Sequence, residues 1–314
     1  MRAATGILTL LGLSAAGIAA AGAAALPSVF APGIVSDADS ASPAFTPDGK
    51  TVYFMRGAGE GSTLMQSQLG AAGWSAPQAL PFSGKWRDLD PALAPDGSYL
   101  VFVSNRPLTA GAPPLDAVRA GQRHIGKGMH IWRVERRGAV WSEPVHLPAE
   151  INSCSMTFAP NVAADGSIYF IGCAAPADGL YLKRSLFQGG KYLPPFKVAL
   201  GDAGAQIRDP AIAPDRSFIV FSIKHEPSAA YRLAIAFHSE QGWSAPLDLG
   251  DAVNGGTHNM GAQLGCDRRT LYYYSDRTGG TAQAGGDSIW QVSLTPWLQA
   301  HAGERPVAPP RPCT

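Results

Sequence analysis

SPAFTPDGKTVYF (residues 42–54), DPALAPDGSYLVF (90–102), APNVAADGSIYF (159–170), DPAIAPDRSFIVF (209–221) and GAQLGCDRRTLYYY (261–274) decide the fold. Each is a short apolar stretch that runs into an Asp turn and returns as an aromatic strand. The turn residues Asp48, Asp96, Asp165, Asp215 and Asp267 follow one another at 48, 69, 50 and 52 residues. A repeat of that size, built from short alternating strands, is the mark of a β-propeller with one sheet per repeat. Five repeats predict an all-β, five-bladed β-propeller of four-stranded antiparallel blades. A six-bladed alternative requires a blade hidden in the long second repeat, whose extra residues carry no Asp turn.

The second repeat shows the pattern: DPALAP (90–95), then SYLVFVS (98–104), HIWRVER (130–136) and WSEPVHL (141–147). Alternation of apolar and polar residues marks the third and fourth strands as half-buried. The Gly after the turn Asp supplies the positive φ of a tight hairpin. Repeats four and five carry Arg216 and Arg268 there, which predicts looser or different turns. An aromatic followed three residues on by Pro closes each blade, at Trp74 to Pro77, Trp141 to Pro144, Tyr192 to Pro195 and Trp243 to Pro246. Pro lacks a donor and suits an edge strand, and the aromatics read as packing between blades. The fifth repeat lacks this last strand, while Pro27 to Val35 resembles it. The N-terminal strand is therefore expected to complete the last blade and close the ring.

Residues 1–25 carry one early charge, Arg2, and then an apolar run ending in small residues, the pattern of a secretory signal peptide. A membrane anchor is the other reading, since the run is nearly long enough to span a bilayer. The expected division is a signal peptide at 1–25, a single propeller domain at 26–298 and a Pro-rich tail at 299–314, with no membrane span after cleavage. Without Arg2, 24 basic residues balance 24 acidic ones. That balance argues against nucleic acid or an anionic membrane surface as a partner.

The PDG repeats, with Ser104-Asn105-Arg106 and Ser275-Asp276-Arg277, resemble the WD40-like propeller repeat of the TolB family. The resemblance covers nearly the whole chain after residue 25, but its motif is structural. In that family the fold is a periplasmic propeller and TolB itself binds partner proteins of the cell envelope; the resemblance implies a periplasmic address and a binding role, not TolB's own function. Two departures are expected: no separate N-terminal α/β domain, and five blades where that family has six. The expected address is periplasmic or secreted.

In a propeller the first strand of each blade lines the central channel, and the segments entering those strands share one face with the loops joining second to third strands. The entering segments place Asp39, Arg87, Asp88, Asp90, Arg208, Asp209, His258 and Asn259 around one opening. Such a ring can grip a polar ligand. Asp90 and Asp209 recur at one repeat position, so they read equally as caps of local backbone donors. Residues 107–129 insert a long loop on the same face, whose Arg119, Arg123, His124 and Lys127 either bring positive charge over the opening or form a solvated loop. Cys154 and Cys173 arrive at the same end of blade three and are expected to form a disulfide, leaving Cys266 to pair with Cys313. No C-x-x-C or H-x-x-x-H spacing appears, and neither metal nor cofactor is expected.

Two functions follow. One is a monomeric, non-catalytic propeller binding an envelope protein, a peptide or a cell-envelope glycan at the charged face; no G-x-S-x-G or other nucleophile motif is present. The other is a glycoside hydrolase-like enzyme using a carboxylate pair drawn from Asp39, Asp88, Asp90, Asp209 and Glu150. Most of these acids sit beside Arg, which suits ion pairs better than a general acid.

Overall fold

A computed structural model describes residues 26–37, 39–57, 61–173, 179–201, 204–227, 229–279, 287–303 and 313. The expected signal peptide and most of the expected tail lie outside these residues. Five antiparallel sheets form the five blades. Their first strands are Ser40–Phe45, Asp88–Leu93, Phe158–Val162, Gln206–Ile212 and Asn259–Leu264. The second and third strands follow in chain order, and Ser28–Val29 pairs with the third strand of blade five, Ser288–Ser293. The chain's start thus supplies the outer strand of its last blade, as the missing strand in repeat five requires.

Alternation along the second strands sorts the core into one cluster per blade interface. In Tyr99–Ser104, Leu100 and Phe102 face blade one beside Tyr53 and Leu64, while Val101 and Val103 face blade three beside Ile168 and Phe170. Both sides are covered, so the strand reads as a continuous apolar run rather than an alternating one. At the closing seam Phe30 meets Phe45, Trp74 and Tyr272, with ring centroids 5.5, 5.5 and 5.0 Å apart. Trp141 likewise reaches across to Tyr53 of blade one.

The outer strands are broken where the Pro falls. In blade one, Gly73–Trp74 and Gln78–Ala79 pair separately with the third strand. At the gap the hydroxyls of Ser75, Ser142 and Ser244 accept the N–H of Gln68, Glu135 and Phe237 at 2.9–3.0 Å. The Ser beside each Trp therefore satisfies the donor that Pro's neighbourhood leaves unpaired.

All five Asp turns are built alike. Asp48, Asp96, Asp165, Asp215 and Asp267 accept the N–H two residues on, and the residue after each Asp donates to the carbonyl three residues back. That residue is left-handed in every blade, and Arg216 (φ 64°) and Arg268 (φ 57°) adopt the same geometry as Gly49, Gly97 and Gly166. The expectation of looser turns fails, because the Asx hydrogen bonds fix the turn whatever side chain follows. A left-handed non-Gly residue costs about 1–2 kcal/mol. Arg216 offsets part of that with an ion pair to Asp165, 3.3 Å away on the neighbouring turn.

Both expected disulfides are present, Cys154–Cys173 and Cys266–Cys313. The second lies against Gly49, at the seam between blades five and one. Helix Thr295–Ala302 follows the last strand; Trp297 and Leu298 pack on the core between blades four and five, and His301 stacks on Phe237 at 3.7 Å. The expected start of the tail, residue 299, falls inside this helix.

Candidate functional site

Each first strand carries a register shift, and the residue at that bulge is left-handed in every blade: Ser42, Asp90, Ala159, Asp209 and Gly261, with φ between 46° and 64°. The bulge re-aims these five residues into the channel, where they form a ring at its waist. Asp90 Oδ2 accepts the Ala159 N–H (3.2 Å), and Asp209 Oδ2 accepts the Gly261 N–H (3.0 Å). Each carboxylate thus ties its blade to the next one. Ser42 donates its hydroxyl to Asp90 Oδ1 at 3.3 Å. The free space against this ring is about 10 Å³, room for a single water.

The two channel carboxylates act on one another. Burial raises both above the usual carboxylate range; the charge of Asp90 pushes Asp209 further, to about 7, while Arg87 and Arg208 pull the respective acids down. The two titrate as a pair, so the last proton is lost at a higher pH than from an isolated carboxyl. Arg208 lies beside Asp209, donating to the Ile207 carbonyl (2.8 Å) with its guanidinium 5.8 Å from the Phe158 ring centroid.

Above the waist, Asp39, Arg87, Ser62, Tyr274 and Asp287 line a cavity of about 150 Å³. Ser62 is 2% exposed and its hydroxyl has no hydrogen-bond partner among the described residues. Tyr274 is held protonated by burial, with the charges of Asp209, Asp90 and Asp287 acting in the same sense. Burial also raises Asp287; His258 nearby opposes that shift, while Asp276 and Asp39 add to it. His258 is exposed on this rim, its backbone N–H fixed by Asp276 at 2.9 Å.

Asp88 and Asn259 do not join the opening. Asp88 is fully buried between blades, bonded to Arg106 (2.8 Å) and to the Ser83 hydroxyl (2.7 Å). Asn259, at the equivalent position, is spent on Ser275, Gly256 and the Tyr231 carbonyl. The Ser-Asn-Arg and Ser-Asp-Arg motifs are the other half of this scaffold: Asn105 and Asp276 take the N–H of Arg87 and His258, and Arg106 fills the blade interface. Glu150 is exposed on the link between blades two and three. The insertion folds partly into a hairpin, Ala117–Arg119 with Gln122–His124, whose Val118 N–H bonds Ser155 and whose Arg119 meets the Met156 sulfur. Its Arg123 is paired with Asp116.

Tyr274, Asp287 and Ser62 were absent from the sequence-based candidates. Tyr274 had one signal: a Cβ on Gly261 would lie 2.4 Å from its ring, so the single Gly at the bulge position of the five repeats makes room for it.

No protein-family model and no curated protein matches the chain. Among solved structures the chain is similar to a thermostable family-43 glycoside hydrolase, with 10% identity over 89% of this chain and 98% of that one and a TM-score of 0.53. It is also similar to TolB from Acinetobacter baumannii (17% identity, 66% of this chain, 43% of that one, TM-score 0.40) and to a TolB described as putative in Agrobacterium tumefaciens (14%, 82%, 90%, 0.41). The chain spans less than half of the Acinetobacter protein. At these identities what is shown is the fold, a five-bladed β-propeller.

Proposed function

We propose that the chain is an extracytoplasmic, non-catalytic propeller that binds a polar ligand, namely an envelope protein segment, a peptide or a glycan, on the rim formed by Asp39, Arg87, Arg208, His258, Tyr274 and Asp287. The observation that carries this reading is how the waist acids are used. Glycoside hydrolysis needs two carboxyl groups flanking an open space about 5–10 Å across. Here each acid accepts the next blade's N–H, and the space against them admits about one water. The rim cavity, in contrast, presents charged groups together with an unpartnered hydroxyl. The PDG-repeat resemblance, the two disulfides and the apolar run at residues 1–25 support an oxidising, exported setting.

One feature favours the glycan-processing alternative: burial and the charge of Asp90 raise Asp209 to about 7, the direction a general acid requires. The readings separate by cross-linking the purified chain to envelope extract. Wild type captures a defined partner, and an Arg87→Ala, Arg208→Ala double variant loses it. Unchanged capture by that variant removes the rim assignment.

A further inference from the structure

The other mouth of the channel, on the side of the Asp turns, holds a cavity of about 350 Å³, larger than the one on the rim. That is within the size range of small-ligand pockets. Phe45, Leu93, Ile212 and Leu264 contribute apolar wall, Gln263 stands at the end nearest the waist, and Arg268 borders the cavity. Arg268 also borders a second cavity of about 250 Å³ beside the turns of blades two and three. We propose that this mouth binds a small organic anion with an apolar body, its carboxylate received by Arg268 and its apolar part laid on Phe45, Leu93 and Leu264.

Three observations converge on this. First, Arg268 is left-handed at a position where three of the five repeats have Gly. The Asx hydrogen bonds hold that backbone, so the side chain it carries is free to differ between blades, and in blade five it sets a cation at the mouth. Second, the other Arg in this position, Arg216, spends its guanidinium on Asp165, whereas the Arg268 guanidinium makes no hydrogen bond or ion pair among the described residues. Asp215 feels its charge, but Asp215 Oδ1 already accepts the Ser217 N–H (3.1 Å) and hydroxyl (2.7 Å). Third, Gln263 accepts from Asn161 through Oε1 at 3.1 Å, and Asn161 Oδ1 accepts the Ile212 N–H. That leaves the Gln263 Nε2 hydrogens as donors at the inner end, so a ligand with a polar atom opposite its carboxylate is matched at both ends.

The test titrates 3-(4-hydroxyphenyl)propionate, whose phenol oxygen lies opposite its carboxylate, and separately its uncharged amide, into the disulfide-intact chain at pH 7 by calorimetry. Wild type binds the carboxylate at least tenfold more tightly than the amide, the size of a charge-assisted hydrogen bond. Arg268→Gly, which suits the left-handed backbone and so keeps the fold, lowers carboxylate affinity at least tenfold, and Arg268→Lys restores part of it. Arg216→Gly and the Arg87→Ala, Arg208→Ala double variant leave it unchanged, which keeps this site separate from the rim. The proposal is overturned by no binding to wild type, by equal affinity for carboxylate and amide, or by undiminished affinity in Arg268→Gly.

Discussion

Asp209→Asn is expected to stabilise the protein above neutral pH and to leave its stability unchanged near pH 4. The variant keeps an oxygen for the Gly261 N–H at 3.0 Å but cannot ionise. In the folded chain Asp209 titrates at about 7 against 3.8 for the free side chain, because burial and then the charge of Asp90 disfavour the carboxylate. A raised carboxyl pKa means that the folded state holds the proton more tightly than the unfolded state. The group therefore costs nothing below about pH 4, its cost grows as pH rises toward 7, and the cost is constant above that. The rise from 3.8 to about 7 corresponds to an upper bound of about 4 kcal/mol. Since the shift belongs to the pair, about 2–4 kcal/mol is expected for the single substitution. Urea unfolding of wild type and variant, followed by Trp fluorescence at pH 4, 5.5, 7 and 8 with disulfides intact, measures it. The two midpoints coincide at pH 4 and diverge in the variant's favour by pH 8. A pH-independent difference, or a variant less stable at pH 8, refutes the reasoning.

Other substitutions separate scaffold from rim. Asp88→Ala leaves Arg106 buried and without its acid, and a loss of about 3–5 kcal/mol is expected in the same urea assay; Asp39→Asn, on an exposed rim residue whose left-handed backbone (φ 64°) Asn also adopts, is expected within about 0.5 kcal/mol of wild type. Phe30→Ala empties the aromatic seam between blades five and one, with an expected cost of about 3–5 kcal/mol and early proteolysis of the N-terminal strand on limited digestion. Replacing Cys266 and Cys313 by Ser removes the tie between the last turn and residue 313; a loss of about 2–4 kcal/mol is expected, read as a lower unfolding midpoint.

The blades were legible because each repeat carries its own turn chemistry, and Asp at position one of that turn is a backbone requirement. Ring closure was legible because repeat five lacks the Trp-x-x-Pro strand. The site was only half legible, for a geometric reason. Strict alternation puts Asp88 and Asp90 on one side of a strand. The left-handed bulge at Asp90 breaks that count, sending Asp90 to the channel and leaving Asp88 between blades. The same bulge separates Asn259 from the rim. Tyr274 and Asp287 come from the second strand and third-strand approach of blade five, and meet Asp39 and Arg87 only when the ring closes. Arg268 was misread because turn preference alone was weighed, without the Asx bonds that hold the backbone left-handed.

In the proposed division of labour the rim binds and the waist holds the ring together. Titrating the captured partner into the Asp90→Asn, Asp209→Asn double variant tests it most directly, with product formation followed in the same samples. Wild-type affinity within twofold, and no turnover of the partner by either protein, is expected. Turnover by wild type that the double variant abolishes contradicts it.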